Sequence, residues 1–139
     1  MSTAPMRLRR CSAPNGRDGQ NPGRHEFMAG ARQDPVFGPV VVGDGGRYVQ
    51  ALQDIAVLIP PFDSADVYAA LKTLRIAPLL DGVRGEPPLD AAALCAVVIA
   101  LGRLIAAAPD SIAAIDLDPV LVGARGEGAM VVDALVERR

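Results

Sequence analysis

Three aspartates toward the C-terminal end are the residues best placed to do chemistry. Asp116 and Asp118 stand two apart in Asp116-Leu117-Asp118-Pro119, and Asp133 follows a glycine-containing connection. Alternate side chains of a strand share a face, so Asp116 and Asp118 should project together. Residues 124–128, Ala-Arg-Gly-Glu-Gly, have the glycines of a hairpin connection, and a hairpin there would bring Asp133 opposite the pair. Three converging carboxylates repel one another unless a cation neutralises them, and hard oxygen donors suit Mg²⁺ carried by a nucleotide. Asp-x-Asp is a weak motif, and a hairpin whose acids merely face solvent is the competing reading.

Gly43-Asp44-Gly45-Gly46 frees backbone N–H groups that can approach a phosphate. It lacks the Lys-Ser/Thr ending of a P-loop and opens no clear helix, so an ordinary turn competes with that role. In Gly82-Val83-Arg84-Gly85-Glu86, Arg84 could hold a phosphate or carboxylate bidentately, or be tied to an internal acid. His25, the single histidine, precedes Glu26, and a surface role suits it better than a catalytic one. Without it no Ser-His-Asp or Cys-His set can be assembled.

The elements that must position these groups follow from the pattern of apolar residues. A chain of 139 residues, half of them hydrophobic, can fill one core, and with 4% aromatics and no Trp that core must be aliphatic. Short β segments are predicted at 25–33, 37–44 and 54–61, separated by turn signals at Asp34-Pro35 and Gly43-Asp44-Gly45-Gly46. Asp63 and Asp66 have the spacing of a capping box, ahead of an amphipathic helix through Val67, Ala70, Leu71 and Leu74 to Pro78. Asp90 caps a second, longer helix to Pro109; it is Ala-rich and interrupted by Gly102 and Arg103, which argues against a membrane span. Strand-like runs at 112–123 and 129–137 complete the order β-β-β-α-α-β-β, an α/β sandwich rather than a doubly wound sheet.

Charge and composition bound the partners. Residues 1–24 hold five Arg against Asp18 and are rich in Pro, Gly and Asn, so a disordered leader is expected there, with residues 25–139 as the folded body. The leader's +4 within an overall −2 leaves −6 on the body, which disfavours nucleic acid and suits a bound cation. Cys11 and Cys95 are too few and too separated for a disulfide framework or zinc site. No apolar stretch follows the N-terminal arginines as a secretory signal requires, and the cytoplasm is the expected compartment.

Taken in order, several short motifs match one family. They are Glu26-Phe27-Met28-Ala29-Gly30, Asp34-Pro35-Val36-Phe37-Gly38-Pro39, Gly43-Asp44-Gly45-Gly46, Asp54, Leu80-Asp81-Gly82-Val83-Arg84-Gly85, Asp90 and Asp116-Leu117-Asp118-Pro119. Over about residues 25–137 the chain resembles the C-terminal part of the ATP-grasp domain of NDP-forming acyl-CoA synthetases, relatives of succinyl-CoA synthetase. The resemblance implies an α/β lobe with an antiparallel sheet and two main helices. It also implies an acid–thiol ligase that couples ATP cleavage to acyl-CoA formation through an acyl phosphate and a phosphohistidine, with Mg²⁺ and the triphosphate held between two lobes.

Carried over residue by residue, Asp118 falls where the family usually has a metal-binding Asn and Asp133 where it has a metal-binding Asp, while Asp116 matches a supporting acid two residues before that Asn. Glu26 matches the strand glutamate near the nucleotide, Gly45 and Gly46 the glycine pair of the lobe, and Arg84 the arginine of the Gly-x-Arg-Gly loop. Ala114 stands where a Glu is common, and Asp118 adds a negative charge to the metal site. The other ATP-grasp half, with its histidine-bearing loop, and the CoA-binding domains are expected to be missing, and His25 does not stand in the histidine motif. Two readings follow. One is a lobe contributing Mg²⁺ and ATP phosphate contacts to a separately encoded remainder. The other is a non-catalytic remnant that serves as an interaction module and self-associates through the face the missing half would cover.

Overall fold

The computed structural model describes residues 5–8, 25–33, 40–44, 54–83 and 85–139. The strands are β1 (Pro5–Leu8), β2 (His25–Arg32), β3 (Val40–Asp44), β4 (Ile55–Leu58), β5 (Ile112–Val122), β6 (Ala129–Val131) and β7 (Ala134–Arg138). The helices are α1 (Ser64–Leu71), α2 (Ala77–Asp81) and α3 (Ala91–Ala107). Among the described residues every strand pairing is antiparallel, and the order across the sheet is β1-β7-β5-β2-β3-β4, with β6 paired to β5. The architecture is the expected antiparallel sheet with two main helices, and no helix of the described residues is long and apolar enough to cross a membrane.

The helices α1 and α3 cover one face of the sheet. Phe27, Ala29 and Ala31 of β2, Val42 of β3 and Ile115, Val120 and Val122 of β5 meet Val67, Leu71, Leu94, Val98, Leu101 and Ile105 in a single apolar core. Each fully buried Val, Leu, Ile or Phe side chain among them contributes roughly 1.5–3 kcal/mol. Gly102 lets the ring of Phe62 lie against α3, since a Cβ there would come within 2.9 Å of Phe62 Cζ. Gln33, just beyond β2, donates from Nε2 to the carbonyls of Ile105 and Ala108, so the end of the strand satisfies the open carbonyls at the end of α3.

Both predicted caps form. Asp63 accepts from the Asp66 N–H at 2.9 Å while Asp66 accepts from the Asp63 N–H at 3.0 Å, a reciprocal capping box. Asp90 accepts from Ala93 N–H at the start of α3. The first helix, however, ends at Leu71 instead of reaching Pro78. Buried Asp54 accepts from the N–H groups of Arg75 at 2.8 Å and Ile76 at 3.3 Å, which a continuing helix would direct to its own carbonyls. The chain turns there, and Pro78 lies in the first turn of α2, where its missing N–H costs nothing.

Three further differences bear on the strands. Residues 5–8, expected to be disordered, form β1 against β7, whose outer backbone groups offered a ladder for them; the rest of residues 1–24 lies outside the described residues. Gly43 and Asp44 belong to β3 rather than to a turn, because β4 runs so close at Asp54 and Ile55 that only glycine fits at 43. The run at 129–137 is two strands, broken at Val132 and Asp133. Opposite that break stands Pro119, which has no N–H to donate to a continuous ladder.

Candidate functional site

The face of the sheet away from the helices carries the acids. Alternation along β2 puts Phe27, Ala29 and Ala31 into the core and Glu26, Met28 and Gly30 on the opposite, open face. His25 falls on the helix-covered side, where its ring meets Phe27 edge-on at 5.0 Å between centroids, so the sole histidine does not share a face with the carboxylates. Along β5, Ile115 and Val120 are buried while Asp116 and Asp118 are exposed.

A bulge lies at the centre of this face. Ala29 is paired with Leu117 and Phe27 with Val120, so Asp118 and Pro119 together stand opposite Met28. An extra residue in one strand re-aims the side chains beside it. On the other side of β5 the same two residues meet the break between β6 and β7: Asp118 N–H donates to the Asp133 carbonyl at 3.1 Å, and Val132 N–H donates to the Pro119 carbonyl at 3.0 Å. Asp133 is thereby held beside Asp118, in the same register that β6 and β7 keep against β5 on either side of the break.

Asp116, Asp118 and Asp133 line one open hollow of about 390 Å³ with Met28, Ala29, Leu117 and Leu135. Oδ1 of Asp133 is buried in it. Asp118 is exposed as a whole, yet partial burial of its carboxyl raises its pKa above the ordinary aspartate value, and the negative charges of Glu26, Asp116 and Asp133 raise it further. Among the described residues no three His, Cys, Asp or Glu side chains form a ready-made metal cage. The three aspartates share a hollow and an electrostatic field without closing around a point.

Gly30 contributes to this arrangement although its spacing in the sequence gives no hint of it. It pairs with Asp116, whose carboxylate occupies the space over the glycine. Only the pairing register reveals this. Gly45, Gly46 and Arg84 lie outside the described residues.

Comparison with known proteins identifies the family and the fold. Residues 18–137 match the ATP-grasp domain family. A trans-feruloyl-CoA synthase from an unknown prokaryotic organism is 44% identical over 80% of this chain and 16% of its own length. The beta subunit of the ADP-forming acetate–CoA ligase II of Pyrococcus furiosus is 37% identical over 83% of this chain and 49% of its own. The chain thus spans at most about half the length of these curated relatives. Among solved structures, an acetyl-coenzyme A synthetase 1 of Ca. Korarchaeum cryptofilum in complex with coenzyme A and Mg-AMPPCP superposes with a TM-score of 0.76 at 34% identity, covering 86% of this chain and 55% of that one. A protein of Pyrococcus horikoshii gives a TM-score of 0.77 at 32% identity, covering 86% and 50%. With the motif order, the sheet and the sequence identities in agreement, the chain belongs to the ATP-grasp family and, within it, matches the ADP-forming acetyl-CoA and acyl-CoA synthetases.

Proposed function

We propose that this chain is the ATP-grasp lobe that receives Mg²⁺ and the phosphates of ATP for an ADP-forming acid–thiol ligase, acting together with the rest of such an enzyme. The observation that carries the reading is the shared hollow of Asp116, Asp118 and Asp133 at the β5 bulge. The donor set fits the ion. All three groups are hard carboxylate oxygens, and their mutual repulsion is relieved by a divalent cation. With no closed cage of protein ligands, phosphate and water oxygens complete the coordination shell, as suits Mg²⁺. Asp118 and Asp133 would hold the ion, with Asp116 as a supporting acid and Glu26 on the same face toward the nucleotide. Bound Mg²⁺ supplies neutralisation of charge on the phosphates. The chain's own share is positioning, through a stiff sheet that fixes the carboxylates before ligand arrives. Gly45, Gly46 and Arg84 are proposed as further phosphate contacts on the strength of their motifs alone.

Mixing the chain with a separately produced remainder of a synthetase should yield acyl-CoA formation dependent on ATP, and Asp133→Ala should abolish it. Unchanged activity in that variant would sink the reading.

A second reading, a non-catalytic interaction module, is favoured by one observation. On β4, the last strand in the sheet order, Ile55 and Val57 are 47% and 57% exposed, and Ile59 just beyond it is 58% exposed. It expects no Mg·ATP binding by calorimetry and self-association of the isolated chain, whereas micromolar Mg·ATP binding would refute it.

A further inference from the structure

The β5–β6 hairpin is tethered from outside by a single carboxylate. Asp90 Oδ1 accepts from Ala93 N–H at 3.1 Å, capping α3, while Oδ2 accepts from the N–H groups of Gly126 at 3.1 Å and Gly128 at 2.9 Å in the hairpin loop. Backbone bonds reinforce the tether: Asp90 N–H donates to the Gly123 carbonyl at 2.8 Å, and Arg125 N–H to the Pro88 carbonyl at 2.9 Å. Gly126 and Gly128 have φ of 89° and 83°, a left-handed conformation that turns both N–H groups toward one acceptor at little cost. These bonds hold the Asp90 pKa below its ordinary value, with Gly128 the largest cause.

From this loop the two strands run to the acids. Val122 faces Ala129, Leu121 faces Met130 and Val120 faces Val131, after which Pro119 meets Val132 and Asp118 meets Asp133. The loop of a hairpin sets its register, and a slip of one residue reverses the face of every side chain beyond it. β6 is only three residues long and carries little register information of its own, so on this side of the break the loop sets the register that β7 keeps on the other, where Leu117 faces Ala134.

We infer that Asp90 is a positioning residue for the candidate phosphate–metal site, fixing through the hairpin loop the register that brings Asp133 beside Asp118. The inference rests on the proposed function for its purpose, but its geometry can be read without any ligand. Asp90→Ser keeps a helix cap and removes the oxygen that reaches the hairpin. Amide hydrogen exchange on the full chain, free of nucleotide and metal, should show Gly126 and Gly128 losing protection. Asp118 and Val132 should lose it by about tenfold or more, while Val98 and Leu101 in α3 stay near the parent value. Asp90→Asn, whose single carbonyl oxygen cannot serve both the cap and the hairpin, should behave alike. Loss confined to Gly126 and Gly128 would overturn the inference, as would equal loss throughout α3 and β5, which marks general destabilisation. A parallel Mg·ATP titration separates the two readings: no binding by the parent chain counts against the proposed function alone, whereas a parent chain that binds should lose about tenfold in affinity on Asp90→Ser.

Discussion

A methyl group on Gly30 would lie 2.8 Å from Oδ1 of Asp116, so the strand beside the acid is shaped to receive that carboxylate. The obstructing atom is the far end of a rotatable side chain. Gly30→Ala should therefore turn Asp116 aside without breaking β2, and the strand itself gains a few tenths of a kcal/mol from the lost glycine. The melting temperature should stay close to that of the parent, while Mg·ATP affinity measured by calorimetry falls by roughly tenfold, about 1.4 kcal/mol. An unchanged affinity would remove Asp116 from the site.

Asp118 gives a pH dependence whose sign is opposite to that of most native carboxylates. Its pKa is raised from 3.8 in the folded chain, so the folded state holds this proton more tightly than the unfolded state does. Its contribution to stability is present at low pH and declines as pH rises from about 3.8 through the raised value. Asp118→Asn should flatten that part of the profile and raise the urea midpoint at pH 7 in the absence of divalent cation. Denaturation curves at pH 4 and pH 7, with and without Mg²⁺, test this. A lower midpoint for the variant at pH 7 would contradict the repulsion described above.

Asp54 should prove structural. Its carboxylate takes the N–H groups of Arg75 and Ile76 from a buried position at the foot of β4. Asp54→Ala leaves both without that acceptor and should cost about 2 kcal/mol in urea denaturation. Asp54→Asn should recover part of the loss through its remaining carbonyl oxygen.

In the core, Leu94 is fully buried on α3 among the residues of the central strands. Leu94→Ala should destabilise the chain by about 3 kcal/mol, through lost transfer energy and the cavity left behind. A loss below about 1 kcal/mol would mean that α3 is not seated on the sheet as described.

Val57→Lys probes the open face directly. The side chain is 57% exposed, so stability should change by under about 0.5 kcal/mol. Sedimentation of the isolated chain should shift toward monomer if the Ile55, Val57 and Ile59 stripe drives self-association. A parent chain that is already monomeric at high concentration would argue against the interaction-module reading.

What could be read in the sequence was what depends on neighbours in the chain. The Asp63–Asp66 box, the Asp90 cap, the alternation in β2 and β5 and the glycine connection at 124–128 are local signals, and each reappears in the structure. What could not be read depends on partners distant in sequence. The first helix stops at Leu71 because of Asp54, and the strand near Asp133 breaks because Pro119 stands across from it. The candidate site divides in the same way. Asp116 and Asp118 were visible as a spaced pair, but the bulge that aims them and the glycine that admits Asp116 exist only once β2 and β5 are in register.

The pairing of β1 with β7 joins residues 5–8 to residues 134–138, so the sheet is completed by a contact spanning nearly the whole chain. Loop-closure entropy must be overcome before such a contact rewards the chain, which makes it a late event in folding. During synthesis Pro5–Leu8 emerges before Ala134–Arg138 and must wait for that partner strand to be made. The outer side of β7 is therefore the last seam of the sheet to close, and the place where a competing strand has the longest opportunity to intrude.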